Sequence, residues 1–338
     1  MKYEQSSLYR STLAAQDNDP YKDDRDMLRV AYQNARTGMI AILAQISKDF
    51  PNLTVHDITH VDALWNVASV IVGDSYSINP LEGFVLGCAF LVHDAALSYC
   101  TVGGVKALRD MQYWKDTFAE YKDVPNMSED EKIKMTDFST IRAYHARKAA
   151  DIIKNPIKTK KDDVLIIENT SLRNHLGDII GKIAASHHWS VDQVAELPTQ
   201  FNAPLGFDNS WQVNPQKLAC ILRCADAGHI DMGRAPDRLY QILHIHGISA
   251  DHWAAQNHLA MITVDSAKHD RAIITSTTPF KEEEFLAWNV AYDAVRVLDF
   301  ELKASNALLA KHFTSKSIRY KRDCRSRFEI ASFQIYSN

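Results

Sequence analysis

Glycine is scarce in this chain: only 12 of its 338 residues, about half of the roughly 7% usual in soluble proteins. With few long Val/Ile/Thr alternations, that scarcity argues against a turn-rich all-β fold and points to mostly helix. Cysteine is sparse as well. The five present (Cys88, Cys100, Cys220, Cys224 and Cys324) form no CxxC pair, and an odd count argues against a disulfide framework. A reducing cytoplasm is the expected setting. The longest apolar run has nine residues, well short of a membrane span. Met1 to Asp19 is polar and lacks a basic start followed by an apolar stretch, so no signal peptide is read there. Charge of neither sign dominates, with 38 Lys and Arg against 42 Asp and Glu. A net charge of −4 leaves no general electrostatic footprint for nucleic acid or membrane.

What is present is enough apolar material, 46% of residues, to fill a sizeable core. Helical spacing predicts helices over about 23–49, 59–72 and 81–97, the last apolar nearly all round and therefore buried on every side. Residues 101–136 are polar, contain Gly103-Gly104 and Pro125, and read as an insertion with short helices beside any site. Further helices are expected at about 139–154, 164–187, 216–227 and 281–311, the last with Phe285, Trp288, Ala291, Val295, Leu298 and Leu302 inward. Residues 259–264 and 272–275 look like paired strands joined by a turn around 268–270, and 328–335 alternates like a further strand. The expected organisation is a mainly α-helical domain over 1–240 and a small α+β extension over 241–338.

Histidine is abundant, at 14. His93 and Asp94 directly follow the apolar run Phe84 to Val92. A carboxylate there is too costly to leave uncompensated, and no Lys or Arg lies between residues 74 and 105. Asp226 repeats the arrangement after Leu218 to Leu222. With His60, His145 and the adjacent His187-His188, the order is H…HD…H…HH…D. Two carboxylates and four or five histidines can balance the charge of two divalent ions, with Asp94 the simplest bridge. His56 and His60, at i and i+4, share one side of a helix or turn. Adjacent histidines cannot both face solvent, so one of His187 and His188 is expected to point inward.

This six-part order resembles the HD superfamily of metal-dependent phosphohydrolases over roughly residues 50–235. A narrower likeness, to the HD-CE type of bacterial conflict systems, lies in Ile141-Arg142-Ala143-Tyr144-His145-Ala146, Ala185-Ser186-His187-His188-Trp189 and Leu222-Arg223-Cys224-Ala225-Asp226. Ile230-Asp231, Arg234-Ala235-Pro236 and Ser249-Ala250-Asp251-His252-Trp253 extend it to about residue 311. The resemblance implies an HD-type helical bundle in which His60, His93, Asp94 and Asp226 take the core ligand positions, while His145 and one or both of His187 and His188 supply a second ion. Relatives commonly read Thr-Asp-His before the first ligand. Here Thr54-Val55-His56 lacks the Asp, which puts a third ion at His56 in doubt.

The expected activity is phosphoester hydrolysis in bacterial defence by metal-activated water, using one or two ions of manganese, iron or magnesium, with zinc or nickel compatible. Asp94, His187 and His188 are the expected catalytic groups, either histidine being available to protonate the leaving oxygen. Arg142 and Arg223 each lie one helical turn before a ligand, where a guanidinium can hold a phosphate or pair with a ligand carboxylate. Arg234 and Lys106 are further substrate-binding candidates. The basic cluster Lys316, Arg319, Lys321, Arg322, Arg325 and Arg327 reads as a solvated face or a nucleic-acid contact. The substrate is expected to be a nucleotide or a single-stranded nucleic acid, with no membrane partner. An ATPase of the heat-shock chaperone kind often follows such domains; none lies within these residues, so the chain is expected to be a stand-alone form or a piece of a longer protein. An ATPase or other defence-system partner and a second copy of the chain are the candidate partners. The alternative reading is a non-catalytic module that binds metal and nucleotide and signals through the 281–311 helix.

Overall fold

The computed structural model describes residues 2–73, 77–122, 124–158, 163–266, 271–312 and 329–334. The chain is mainly helical. Short α1 (Ser7–Thr12) and long α2 (Lys22–Asp49) lead to α3 (Ile58–Val72) and α4 (Pro80–Val92). The insertion forms α5 (Gly104–Asp110) and α6 (Gln112–Tyr121), followed by α7 (Glu129–Ile152). A two-residue pair, β1 (Ile157–Lys158) and β2 (Asp163–Val164), precedes α8 (Thr170–Ala185), α9 (Val191–Ala195) and α10 (Pro215–Gly228). Then come α11 (Asp237–Leu243), α12 (Ile248–His258), β3 (Thr263–Val264), β4 (Arg271–Thr275), α13 (Phe285–His312) and β5 (Glu329–Gln334). β4 pairs antiparallel with β3 and parallel with the backbone of β5. No helix among the described residues is long and apolar enough to cross a membrane.

Two central helices deliver the carboxylates. α4 starts at a capping box between Asn79 and Glu82, with Pro80 at its first position, and every one of its residues is buried. Glu82 would be a costly charge in that setting, and Lys217 Nζ lies 2.8 Å from it while the Asn214 amide donates to it at 2.9 Å. Asn214 is also the N-cap of α10. The ion pair therefore ties the starts of α4 and α10 together, and the two run in the same direction to His93-Asp94 and Asp226. α8 packs against α7 so closely that a Cβ on Gly181 would lie 2.6 Å from the Ala150 carbonyl oxygen. That approach brings the His145 helix up to the His187 turn.

Several expected boundaries move. The helix expected over 81–97 ends at Val92, because Ala95 and Leu97 donate to the carbonyls of Val92 and Asp94 in tight turns. α7 starts ten residues before the expected 139, at a Ser128–Glu131 capping box with three acidic residues in its first turn. The helix expected from 164 begins at Thr170, capped by Asn169. α11 and α12 occupy a stretch in which no helix was expected. Leu259 forms only an isolated bridge to Ser276, and the strand pairing is confined to Thr263 and Val264. The expected turn at 268–270 and the basic cluster at 316–327 lie outside the described residues. On α13, Ala291, Val295, Leu298 and Leu302 face inward as expected, whereas Phe285 is 61% exposed. Trp288 is half-buried against the core as expected, and Phe285 and Tyr292 stack on either side of its ring toward solvent.

One continuous hydrophobic core runs from Tyr3 to Leu309 and crosses the boundary expected at residue 240, with both α10 and α12 packed on α13. The insertion is fastened to α7 through buried Asp137, which accepts from Tyr99 Oη (2.9 Å), Arg109 Nη2 (2.7 Å) and Trp114 Nε1 (2.7 Å). Replacing Lys217 with Met leaves Glu82 without its cation. The expected outcome in urea unfolding is a loss of about 2–3 kcal/mol, since truncating one partner leaves a charged acceptor buried.

Candidate metal centre

Three helices and two turns bring the predicted ligands together. His60 lies in the first turn of α3, which is started by Asp57 accepting from the Thr59 amide. His93 and Asp94 follow α4, His145 sits within α7, His187 and His188 follow α8, and Asp226 lies near the end of α10. The donor atoms fall into two groups: His60, His93, Asp94 and Asp226, and His145, His187 and His188. Asp94 stands between them. Its Oδ2 is 3.1 Å from His93 Nε2 and 3.7 Å from His60 Nε2, while its Oδ1 is 3.4 Å from His145 Nε2 and 3.7 Å from His187 Nε2. Asp226 Oδ1 completes the first group at 3.5 Å from His60 Nε2 and 3.7 Å from His93 Nε2. Of the paired histidines, His187 is the inner one and His188 is exposed at the edge of the second group.

The ring orientations decide what this cluster can hold. His93, His145 and His187 each donate from Nδ1 to the carbonyl three residues earlier: Phe90 at 2.9 Å, Arg142 at 2.8 Å and Ala184 at 2.6 Å. A proton on Nδ1 leaves the Nε2 lone pair free in a neutral ring. Yet His145 Nε2 and His187 Nε2 are 3.0 Å apart, and His60 Nε2 and His93 Nε2 are 3.3 Å apart. Lone pairs facing at such distances repel unless a cation lies among them, so the donor set fits a divalent ion. Nitrogen and carboxylate donors without a thiolate suit manganese, iron or magnesium, with zinc and nickel also compatible.

Charge supports the same conclusion. No Lys or Arg nitrogen lies within 4 Å of Asp94 among the described residues, and Arg234 Nη1 stays 3.8 Å from Asp226 Oδ1. Without an ion, His93 takes the positive charge: burial pushes its pKa down, but the carboxylates of Asp94 and Asp226 outweigh it and hold it at about 10. Burial, offset by His93, leaves Asp226 lowered to about 2, and Asp94 sits well below the usual carboxylate range for the same reason. His187 is lowered to about 3 by burial and by His93, and His188 to about 4 by burial and by His145.

An outer layer, missed in the sequence, holds this arrangement. His229 is buried, stacks on His60 at 5.0 Å between ring centroids, and places its Nδ1 2.7 Å from His60 Nδ1. That bond leaves His60 Nε2 for the cluster. The only signal was a histidine three residues after Asp226. His56 donates from Nδ1 to the Thr54 carbonyl and accepts at Nε2 from Arg234 Nη2 at 2.6 Å. Its Nε2, 4.0 Å from Asp94 Oδ2, is thus taken up by Arg234, and Asp57 caps α3.

The cluster opens into a cavity of about 490 Å³ whose lining includes Asp94, His145, His187, Asp226, Arg142 and Arg234. Arg223 lies elsewhere: it pairs with Glu301 at 2.7 Å and donates to the carbonyls of Ser186 and Trp189, bracing the histidine turn against α13. Lys106 stands exposed on α5 and does not line the cavity, and neither does any other described residue of 101–136. The wall beside the cluster is built by α12, through Ile248, Ser249, His252 and Gln256.

A family model described as HD-CE matches residues 50–304. No curated protein and no solved structure matches the chain.

Two outcomes are expected of metal binding. An ion displaces the His93 proton, so one proton is released per binding event and affinity rises about tenfold per pH unit between about pH 5 and 9. Calorimetry in buffers of different ionisation enthalpy reads this release directly. Truncating His229 to Ala frees the His60 ring and is expected to weaken divalent binding by about 10–100-fold, measured by competition with a chelating dye.

Proposed function

The chain belongs to the HD-CE family, and on that premise we propose that it is a metal-dependent phosphohydrolase acting on a small phosphoester. The observation that carries this reading is the sharing of Asp94: its two oxygens address two donor groups, and one cavity is lined by Asp94 and Asp226 of the first and by the histidines of the second. Divalent ions held there would supply the means to ionise water at neutral pH and to offset charge on a phosphoryl group.

The protein's own groups complete the arrangement. Asp94 bridges the two donor groups and sets their separation. Arg142 and Arg234 line the same cavity and offer guanidinium donors to phosphate oxygens. Arg234 is buried, and its Nε has no hydrogen-bond partner among the described residues. Arg142 lies over the Phe138 ring, 5.7 Å from its centroid, which limits its range of positions. His187, held neutral mainly by burial, and His188 at the edge act in this reading as ligand donors. The leaving oxygen takes its proton from solvent at the cavity mouth.

A panel of nucleoside mono- and triphosphates, cyclic dinucleotides and single-stranded DNA, assayed with manganese, tests the proposal. Hydrolysis of a small phosphoester is expected, together with a loss of at least about 100-fold in Asp94→Asn along with loss of bound metal. Stoichiometric metal with no turnover on any member of the panel would sink the enzyme reading and leave the ligand-sensing one.

A further inference from the structure

The metal-facing residues account for only part of the cavity. The rest is walled by α12, by the segment Asn52 to Thr54 before α3, and by Leu97 and Phe138. α12 presents Ile248, Ser249, His252 and Gln256 on one face, spaced by one turn or two. That face is fixed in place. Buried Trp253 donates from Nε1 to the Asn52 carbonyl at 3.1 Å, and Asn257 donates to the Ala235 carbonyl at 2.9 Å. The helix and the opposite segment therefore hold a set distance.

Two polar groups on this face have no hydrogen-bond partner among the described residues. Gln256 Oε1 is buried and accepts no hydrogen bond from them, an arrangement that is unfavourable unless a ligand or water supplies a donor. His252 makes no hydrogen bond either, and burial followed by the Arg142 charge lowers its pKa. At neutral pH it offers one donor and one acceptor. Leu53, Leu97 and Phe138 supply apolar surface beside these groups. Apolar walls with a few convergent neutral hydrogen-bonding groups suit a heterocyclic ring, and the volume lies in the range of small-molecule sites, roughly 300–1,000 Å³.

We infer that the α12 face is the specificity wall of the cavity: Gln256 accepts an N–H or O–H from a nucleoside-type group, and His252 bonds the same group. The phosphate then lies toward Arg142, Arg234 and the metal ligands. This assignment of the organic part rests on the phosphohydrolase reading, but recognition of a neutral nucleoside can be measured without it. No residue of the catalytic cluster belongs to the wall.

The experiment uses the full chain loaded with manganese, comparing wild type with Gln256→Met, which keeps the side-chain length and removes the acceptor, and with His252→Ala. The first arm measures melting-temperature shifts with adenosine, guanosine, cytidine and thymidine, none of which carries phosphate. A saturable shift with at least one nucleoside is expected, its half-saturating concentration raised roughly tenfold in Gln256→Met. No shift with any nucleoside, or the same half-saturation in both variants, overturns the inference. The second arm measures kcat/KM for the matching nucleotide relative to phenyl phosphate, and that ratio is expected to fall roughly tenfold in either folded variant, through KM. An unchanged ratio in both also overturns it. Failure of every phosphoester to react, alongside a nucleoside shift lost in Gln256→Met, removes the phosphohydrolase reading and leaves the wall standing. Metal content equal to wild type shows that the variants act on the wall and not on the ligands.

Discussion

The Asp94 carboxylate, enclosed by imidazoles at the end of a helix buried on every side, is the constraint on which the rest of the molecule depends. A charge in that position is stable only with compensating charge at close range. The neighbours that reach it are His60, His93, His145 and His187, with the ring of His56 at 4.0 Å. They come from α3 and the segment before it, from α7, and from the turns after α4 and α8, so the bundle has to converge on one carboxylate. The Glu82–Lys217 pair at the opposite end of α4 and α10 serves the same purpose, aligning the two helices that carry Asp94 and Asp226.

Local chemistry then sets the direction of each ring. Three histidines donate to the carbonyl three residues back, a bond available wherever a helix ends or its carbonyl can be shared. The effect is cumulative: each such bond frees a Nε2 lone pair, and the freed lone pairs meet. His229 does the same for His60 from a different part of the chain, and Arg234 occupies His56 so that it stays outside the ligand groups. Orientation is thus set mainly by backbone carbonyls, which makes the site rigid before any ion arrives.

Much of this was legible in the residues themselves. A polar pair after a nine-residue apolar run, in a segment without a cation, signals a compensated charge regardless of fold. Helices with strong apolar periodicity, such as α2, α3 and α10, fall within one or two residues of expectation. α12 was not legible, because Trp253 and Ala255 bury themselves against surfaces supplied by other segments and the helix carries no apolar stripe of its own. Arg223 could be read equally as a phosphate clamp or an ion pair until Glu301, 78 residues away, was found beside it.

The sequence alone marked His93-Asp94 and Asp226 as compensated buried charges, because burying a carboxylate carries the same cost in any fold and its neighbours in the chain announce the burial, whereas His60 and His145 joined the candidate ligands through the family resemblance. Which ligands share Asp94, which of His187 and His188 turns inward, what braces Arg223, and which helix walls the cavity were decided only by the tertiary structure. Those are matters of distance and direction between segments far apart in the chain. No local preference encodes the 3.0 Å between His145 and His187; close packing of α7 on α8 does.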